Sequence, residues 1–330
     1  MATIKQVAAA AGVSVATVSR YFNTPEQLSE QTRERVRRAV EQLTYYPSAL
    51  GRNLRTSQTR KILVILPTIS NPFYSRIITG MEEVAEKNGY SVLTCTTGGN
   101  PESEKNKLKM LYDRFVDGAV FFSTSLSRRQ FDRLALEYPV VQCCEYQEGS
   151  AAGAVSIDNE QAAYEAVRYL LELGHRRVAL VNSNNRFESS ILREKGYRRA
   201  LKEYGLSVRE EYIRRGTYGF HNGEESLHHF LSLKEPPTAV FTVADSIAVG
   251  VIHAALEQGL QVGKAYSVIG FDDTSLARMY RPGITSVAQP RKELGEAAAR
   301  LLLRRFQASP KSGELIFLPH RLVIRESTEG

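Results

Sequence analysis

The sequence predicts an α/β protein with a small helical head at its amino end and two doubly wound α/β lobes behind it. Three observations predict this. Apolar residues recur at helical spacing before Tyr46, strand-length apolar runs alternate with amphipathic stretches from Lys61 onward, and most of the excess positive charge sits in the first 60 residues. The 330 residues supply enough chain for two or three domains, and no apolar run approaches the ~18 residues of a membrane span. Met1 to Gln6 carry no apolar block behind a basic start, so a cytoplasmic protein without a secretory signal is expected. Three cysteines, two of them adjacent as Cys143 and Cys144, make neither a disulfide framework nor a Cys-x-x-Cys metal spacing; no metal and no cofactor is expected.

The head reads as three helices over residues 1–46. Thr3 and Gln6 form a capping box ahead of Ile4, Val7, Ala8 and Ala11, which make one buried stripe, and Gly12 ends that helix. Ser14 caps a second helix running to about Phe22, and Ser29 caps a third with Val36, Val40 and Leu43 on its apolar line. Two helices joined by a short glycine-containing turn, closed by a third, are the helix-turn-helix plan. Residues 1–60 hold nine Lys and Arg against four acids, which accounts for +5 of the chain's net +7. That concentration suits contact with a polyanion.

The second helix has two faces. Val18 and Phe22 point inward, while Val15, Ala16, Ser19 and Arg20 share the opposite side and can enter a major groove. Arg20 can donate two hydrogen bonds to guanine, and Val15 and Ala16 offer methyl contacts suited to thymine. Thr17, Ser19 and Thr32 are hydroxyls of the kind that fix phosphate register. A solvated surface role for Arg20 is the competing reading. Residues 47–60 hold a segment too short to be a stable isolated helix, weakened further by Gly51, followed by a linker.

The head resembles that of the lactose-repressor (LacI) family of bacterial transcription regulators. Thr3-Ile4-Lys5-Gln6-Val7-Ala8, Ala11-Gly12-Val13-Ser14-Val15-Ala16-Thr17-Val18-Ser19-Arg20, Thr32-Arg33-Glu34-Arg35-Val36 and Tyr45-Tyr46-Pro47 carry the resemblance, with Gln6 standing where the family usually has Asp. The resemblance implies that residues 47–55 are a hinge helix that folds on DNA beside its dimer mate. Leu54 would then enter the central minor-groove step, with Arg55 beside it at the phosphates or groove. Packing of Leu54 on the core is the alternative.

From Lys61 the strands are expected at Ile62–Leu66, Val92–Cys95, Ala119–Phe122, Val140–Cys144, Val178–Val181, Ala239–Val243 and Ser267–Ile269. Helices include Tyr74–Lys87, Gln161–Leu173, Arg198–Tyr204, Ser246–Gln258 and Lys292–Phe306. Such alternation gives parallel doubly wound sheets, whose ligands bind at the carboxyl ends of strands. Asn71, Phe73, Tyr74, Glu145, Arg193, Tyr218, Asp245, Asp272 and Gln289 fall at such ends. Aromatic faces with planar Asp, Asn, Arg and Gln are what a polyhydroxylated ring requires. Asp245 reads equally as the N-cap of the helix after it, and Asp273 as a cap in its own loop.

This part also resembles the LacI-family core, which is similar to periplasmic sugar-binding proteins. Asn71-Pro72-Phe73-Tyr74, Val116-Asp117-Gly118, Ile157-Asp158-Asn159, Leu173-Gly174-His175-Arg176, Pro237-Thr238-Ala239-Val240-Phe241, Ile269-Gly270-Phe271-Asp272-Asp273 and Gln289-Pro290 carry it. It implies an effector-binding core over 61–330. The amino-proximal lobe would take 61–157 plus 290–318 and the distal lobe 160–285 plus 319–330, with an effector pocket of Asn71, Phe73, Tyr74, Arg193, Tyr218, Asp272 and Gln289. The family often has Asp or Asn where this chain has Cys144 before Glu145, which leaves open which of the two faces the effector.

The expectation is a ligand-controlled repressor that binds a palindromic operator as a homodimer, since no leucine heptad tail follows the last strand; no membrane partner is expected. The effector reads as a sugar or sugar derivative, with a nucleoside as the alternative. A sugar-binding or sugar-processing protein without DNA function is the alternative of a different class. An enzyme is not expected, because no Gly-x-Ser-x-Gly elbow, Walker loop or Gly-x-Gly-x-x-Gly fingerprint appears; of His221, His228 and His229, the last two are neighbours about 100° apart on a helix and are read as lacking a carboxylate partner at ligand spacing.

Overall fold

The structure is a computed structural model that describes residues 2–46, 58–185, 187–307 and 313–329. The chain forms two compact units, Met1–Thr59 and Arg60–Gly330. In the first, α1 (Ile4–Ala11), α2 (Val15–Asn23) and α3 (Glu30–Gln42) pack Val7, Ala8, Ala11, Val18, Val36 and Ala39 at their centre. Local chemistry sets each boundary. The Gln6 amide donates to Thr3 Oγ1 and the Thr3 amide to Gln6 Oε1, completing the capping box, while Gly12 takes φ +60° to end α1. Arg35 has a structural task beyond its charge. Its guanidinium donates to the Ala11 and Gly12 carbonyls at 2.6 and 2.8 Å, tying α3 to the exposed end of α1.

The second unit holds two six-stranded sheets. The first, in order β11-β5-β4-β3-β1-β2, contains β1 (Lys61–Leu66), β2 (Ser91–Thr96), β3 (Gly118–Phe121), β4 (Val140–Cys143), β5 (Gly153–Ser156) and β11 (Leu315–Phe317). The second, in order β12-β10-β9-β8-β6-β7, contains β6 (Val178–Ser183), β7 (Ile213–Gly216), β8 (Ala239–Thr242), β9 (Ser267–Asp272), β10 (Thr285–Ala288) and β12 (Arg321–Val323). All pairings are parallel except β10 with β12. Helices α4 (Pro72–Lys87), α5 (Pro101–Tyr112), α6 (Arg128–Glu137) and α12 (Arg291–Gln307) pack with the first sheet. Helices α7 (Asn159–Glu172), α8 (Glu188–Glu203), α9 (Phe220–Leu231), α10 (Asp245–Glu257) and α11 (Ser275–Met279) pack with the second.

The chain therefore passes between the sheets after β5, after β10 and after β11. Helix α8 begins ten residues before the expected Arg198, because Ser189, Ser190 and Arg193 break its apolar stripe while being buried themselves. Strand β5 was not anticipated: Gly-Ala-Val-Ser carries too little apolar bulk to be read as a strand, yet all four residues are buried.

Helices α4 and α12 cross at two glycines. A Cβ on Gly295 would overlap the carbonyl oxygen of Ile77, and one on Gly80 that of Lys292. Gly295→Ala should therefore force the helices apart and lower stability by about 1 to 3 kcal/mol, seen as a lower midpoint in urea with an unchanged slope. An unchanged midpoint would show that the crossing relaxes freely.

Candidate functional site

Helix α2 starts where Ser14 Oγ accepts the Thr17 amide at 3.1 Å, and it is rotated by the burial of Val18. With Val18 inside, Val15 is 41% exposed, Ala16 and Arg20 are exposed, and Ser19 is half-buried. Among the described residues nothing pairs with the Arg20 guanidinium or the Lys5 ammonium. The cations of α3 differ: Arg33 pairs with Glu30 at 2.7 Å, and Arg37 and Arg38 share Glu34 at 2.8 and 2.9 Å. That sharing holds the Glu34 carboxyl down near pH 2, chiefly through the Arg37 hydrogen bonds. Much of the head's positive charge is thus engaged within α3.

The threonines have local tasks as well. Thr17 Oγ1 lies 2.9 Å from Ser14 Oγ and Thr32 Oγ1 2.9 Å from Ser29 Oγ, so both hydroxyls belong to helix starts. Ser19 holds Asn23, whose Nδ2 donates to its carbonyl at 2.7 Å. Leu54 and Arg55 lie outside the described residues.

In the second unit the parallel strands bring the other candidates to their carboxyl ends. Asn71 is the N-cap of α4: its Oδ1 accepts the Phe73 amide at 2.9 Å, and its Nδ2 reaches the Tyr218 hydroxyl at 3.4 Å from beyond the end of β7. Phe73 belongs to the first-lobe core, with its ring 5.5 Å from that of Tyr74. Tyr74 in turn meets Phe122 edge-on at 5.1 Å. Tyr74 is the member of this trio surrounded by Tyr218, Glu145, Cys144 and Asp272, and burial pushes its phenol well above the usual range.

Asp272 ends β9 in a left-handed conformation, φ +101°, and is 3% exposed. Its register partner in β10 is Ala288, so Gln289 follows directly alongside and donates from Nε2 to Asp272 Oδ1 at 2.7 Å. Burial lifts the Asp272 carboxyl to about 6, against the pull of Arg193 and the Gln289 hydrogen bond. Arg193, 8% exposed, donates from Nε to Asn159 Oδ1 at 2.9 Å and from Nη1 to the Val243 carbonyl at 2.7 Å. Its guanidinium lies 3.6 Å over the Phe271 ring. The geometry adds Asn159 and Phe271 to the candidates read from sequence. The run Ile157-Asp158-Asn159 was a recognisable signal, but nothing linear ties Asn159 to Arg193.

Two readings are corrected. Asp245 is not the N-cap of α10; Ala244 is. Asp245 is instead a clamp, its Oδ2 accepting the Thr274 amide at 2.6 Å and hydroxyl at 2.8 Å, its Oδ1 accepting the Ser286 hydroxyl at 2.6 Å. Burial, and then the charge of Asp272, raise it to about 7. Likewise Asp273 is not a helix cap: Thr274 precedes α11, and Asp273 pairs with Arg325 at 2.6 Å. Both carboxylates hold the loop that presents Asp272.

Glu145 spans the cleft. Its Oε2 accepts the Ser189 amide at 2.9 Å and its Oε1 the Ser189 hydroxyl at 2.5 Å, so a carboxylate from the first lobe sits at the first turn of α8 in the second. Burial raises its pKa, while the two Ser189 donors oppose the rise. Cys144, 9% exposed, lies beside it. Among the described residues no three His, Cys, Asp or Glu side chains are grouped to hold a metal, and no helix is long and apolar enough to cross a membrane. His221 pairs with Glu224 at 3.1 Å.

Residues 3–48 match the family described as bacterial regulatory proteins, lacI family, and residues 167–328 match a periplasmic binding protein-like domain. The HTH-type transcriptional repressor CytR of Escherichia coli K12 is 37% identical over 331 residues, covering 99% of this chain and 96% of its own. Among solved structures, the lac repressor dimer bound to operator and the anti-inducer ONPF superposes with a TM-score of 0.89 at 26% identity, covering 100% of this chain and 99% of that one. The transcriptional regulator CelR in complex with cellobiose superposes with a TM-score of 0.75 at 28% identity, covering 99% and 100%. With a DNA-binding helix-turn-helix head in front of a periplasmic-binding-protein-like effector core, the chain belongs to the lacI family of bacterial regulatory proteins and is a transcriptional repressor rather than an enzyme.

Proposed function

We propose that this repressor acts in the cytoplasm as a homodimer on a palindromic operator, and that a neutral sugar bound in the cleft controls it. The observation that carries the effector class is the buried group of Asp272, Gln289 and Arg193 beside the Tyr74 ring, with Tyr218, itself exposed, at its rim. Directional donors and acceptors stand there against an aromatic face, as ring hydroxyls require. Charge narrows the class further. Two carboxylates, Asp272 and Glu145, face Arg193, which already serves Asn159 and Val243, and Arg291 near Asp272 already donates to the Asp273 carbonyl, which disfavours a phosphorylated sugar. The cellobiose complex of CelR supports a carbohydrate. The Tyr74 and Phe122 rings favour a nucleoside as the second reading, since a base can stack where a sugar ring can. Asn71, Phe73, Glu145 and Asp245 shape the cleft, Asp245 through the loop it clamps. The lac repressor dimer on operator supports the dimeric, operator-bound state.

On the DNA side we assign base reading to Arg20, Val15 and Ala16, and backbone contacts to Thr17, Ser19 and Thr32. From the family resemblance, Leu54 is the minor-groove wedge and Arg55 its flanking cation. Ligand closure changes how the lobes of two protomers pack and thereby the spacing of their heads, provided the ligand prefers one closure over the other.

Arg20→Ala should weaken operator binding by about 1 to 3 kcal/mol and relax preference at one operator position in a gel-shift series of single-base variants. Equal weakening on every sequence would assign Arg20 to phosphate instead. In a thermal-shift screen, neutral sugars should raise the melting temperature and their phosphate esters should not, and Asp272→Ala should abolish the shift while DNA binding survives. Because the ionised Asp272 carboxylate accepts hydroxyl hydrogen bonds more strongly than its protonated form, and its carboxyl titrates near 6, affinity for the sugar found should be full at pH 7.5 and fall as the pH drops through 6. Calorimetry on Asp272→Asn should show weak, pH-independent binding. A wild-type affinity constant from pH 7.5 to 5 would remove Asp272 from the contact.

A further inference from the structure

We propose that Cys143 and Cys144 form a dithiol site at the wall of the cleft that takes a trivalent arsenical carrying one organic substituent. Their Sγ atoms lie 3.7 Å apart. Adjacent residues of a regular strand send their side chains to opposite faces, so two neighbouring thiols meet only where the strand breaks. Strand β4 ends at Cys143, and Cys144 takes φ +72°, a left-handed conformation that residues with a Cβ rarely adopt. The turn is held from both sides: the Cys144 amide donates to the Val155 carbonyl at 2.8 Å, and the Ser156 hydroxyl donates to the Cys144 carbonyl at 2.7 Å. An enforced conformation of this kind, at a cleft, points to a use.

The spacing selects the chemistry. A disulfide draws its sulfurs to about 2.05 Å. Two sulfurs bonded to one tetrahedral centre at about 2.3 Å stand about 3.8 Å apart, and on a pyramidal trivalent centre somewhat closer, so a small side-chain rotation from the 3.7 Å found here brings both thiols onto one atom. Zinc requires two further ligands; among the described residues no group of three His, Cys, Asp or Glu provides them, and Glu145 is engaged by Ser189. The centre that fits is soft, satisfied by two thiolates, and bent rather than linear at the metalloid. A monosubstituted trivalent arsenical meets all three conditions.

The exchange needs no oxidant. The arsenic–oxygen double bond of an arsine oxide and two S–H bonds break, two As–S bonds form, and the oxygen leaves as water with both thiol protons; arsenic stays trivalent. Entry is from Cys144, which is 9% exposed and neighbours Tyr74 and Asp272, and the ring then closes on the fully buried Cys143. Burial also pushes the Cys144 thiol well above its usual range, which keeps the pair protonated and slow toward peroxide but does not hinder loss of both protons as water. The half-buried Cys95 in β2 belongs to the far edge of the same sheet, three strands from β4, and offers a single thiol. The site stands whatever the natural effector is.

The test uses the full-length protein and phenylarsine oxide, read by native mass spectrometry with peptide mapping. One adduct per chain is expected, on the peptide containing Cys143 and Cys144, resistant to excess glutathione and removed by 2,3-dimercaptopropanol. Cys95→Ser should keep that adduct, and Cys143→Ser and Cys144→Ser should each lose its resistance to glutathione. Where a serine variant fails to fold, the wild-type map and the two-thiol reversal decide the matter. Absence of an adduct on the native chain, an adduct that glutathione removes, or one mapped to Cys95 would overturn the proposal.

Discussion

Burying two carboxylates within reach of each other's charge is the constraint that organises the second lobe. Burial raises both carboxyls, the charge of Asp272 adds to the cost of ionising Asp245, and neither has a cation to itself. Fixed neutral donors answer the problem. Thr274 and Ser286 serve Asp245, and Gln289 serves Asp272. These donors come from the loop after β9, from β10 and from the passage after β10, so meeting the electrostatic demand also fixes where three segments stand. The left-handed backbone at Asp272 and Asp273 is tolerated within this network. Asp245 is thereby a supporting residue with both oxygens engaged, while Asp272 is engaged by Gln289 and by the Tyr218 hydroxyl.

The head divides its charge in a comparable way. Arginines on α3 are absorbed by Glu30, Glu34 and the carbonyls closing α1, which secures the three-helix core. Lys5 and Arg20 keep their full donor capacity. A net charge therefore overstates what is available to a phosphate backbone, and α2 exposes Arg20 because the burial of Val18 sets its rotation.

Legibility in the sequence followed the range of the interactions. The three head helices and their caps at Thr3, Ser14 and Ser29 were readable, because each rests on contacts within four residues. The alternation of strands and helices was readable for the same reason, and it placed Asn71, Tyr74, Arg193, Tyr218, Asp272 and Gln289 at strand ends. Hidden were features that depend on distant partners. Asp245 stands ahead of a helix as a cap would, and only its approach to Thr274 and Ser286 reveals a clamp. Ser189 looks like any serine until Glu145 arrives from the other lobe. The close crossing of α4 and α12 depends on Gly80 and Gly295, more than 200 positions apart.

The threading of the chain has a consequence for synthesis. The first sheet receives its edge strand β11 and its covering helix α12 only after the whole of β6 through β10 has been made for the second. Neither lobe is a continuous stretch of polypeptide, so on the ribosome the earlier sheet must wait, one flank bare, while its neighbour is assembled. The head, closed by local contacts within its first 46 residues, is free to form long before either lobe can be sealed.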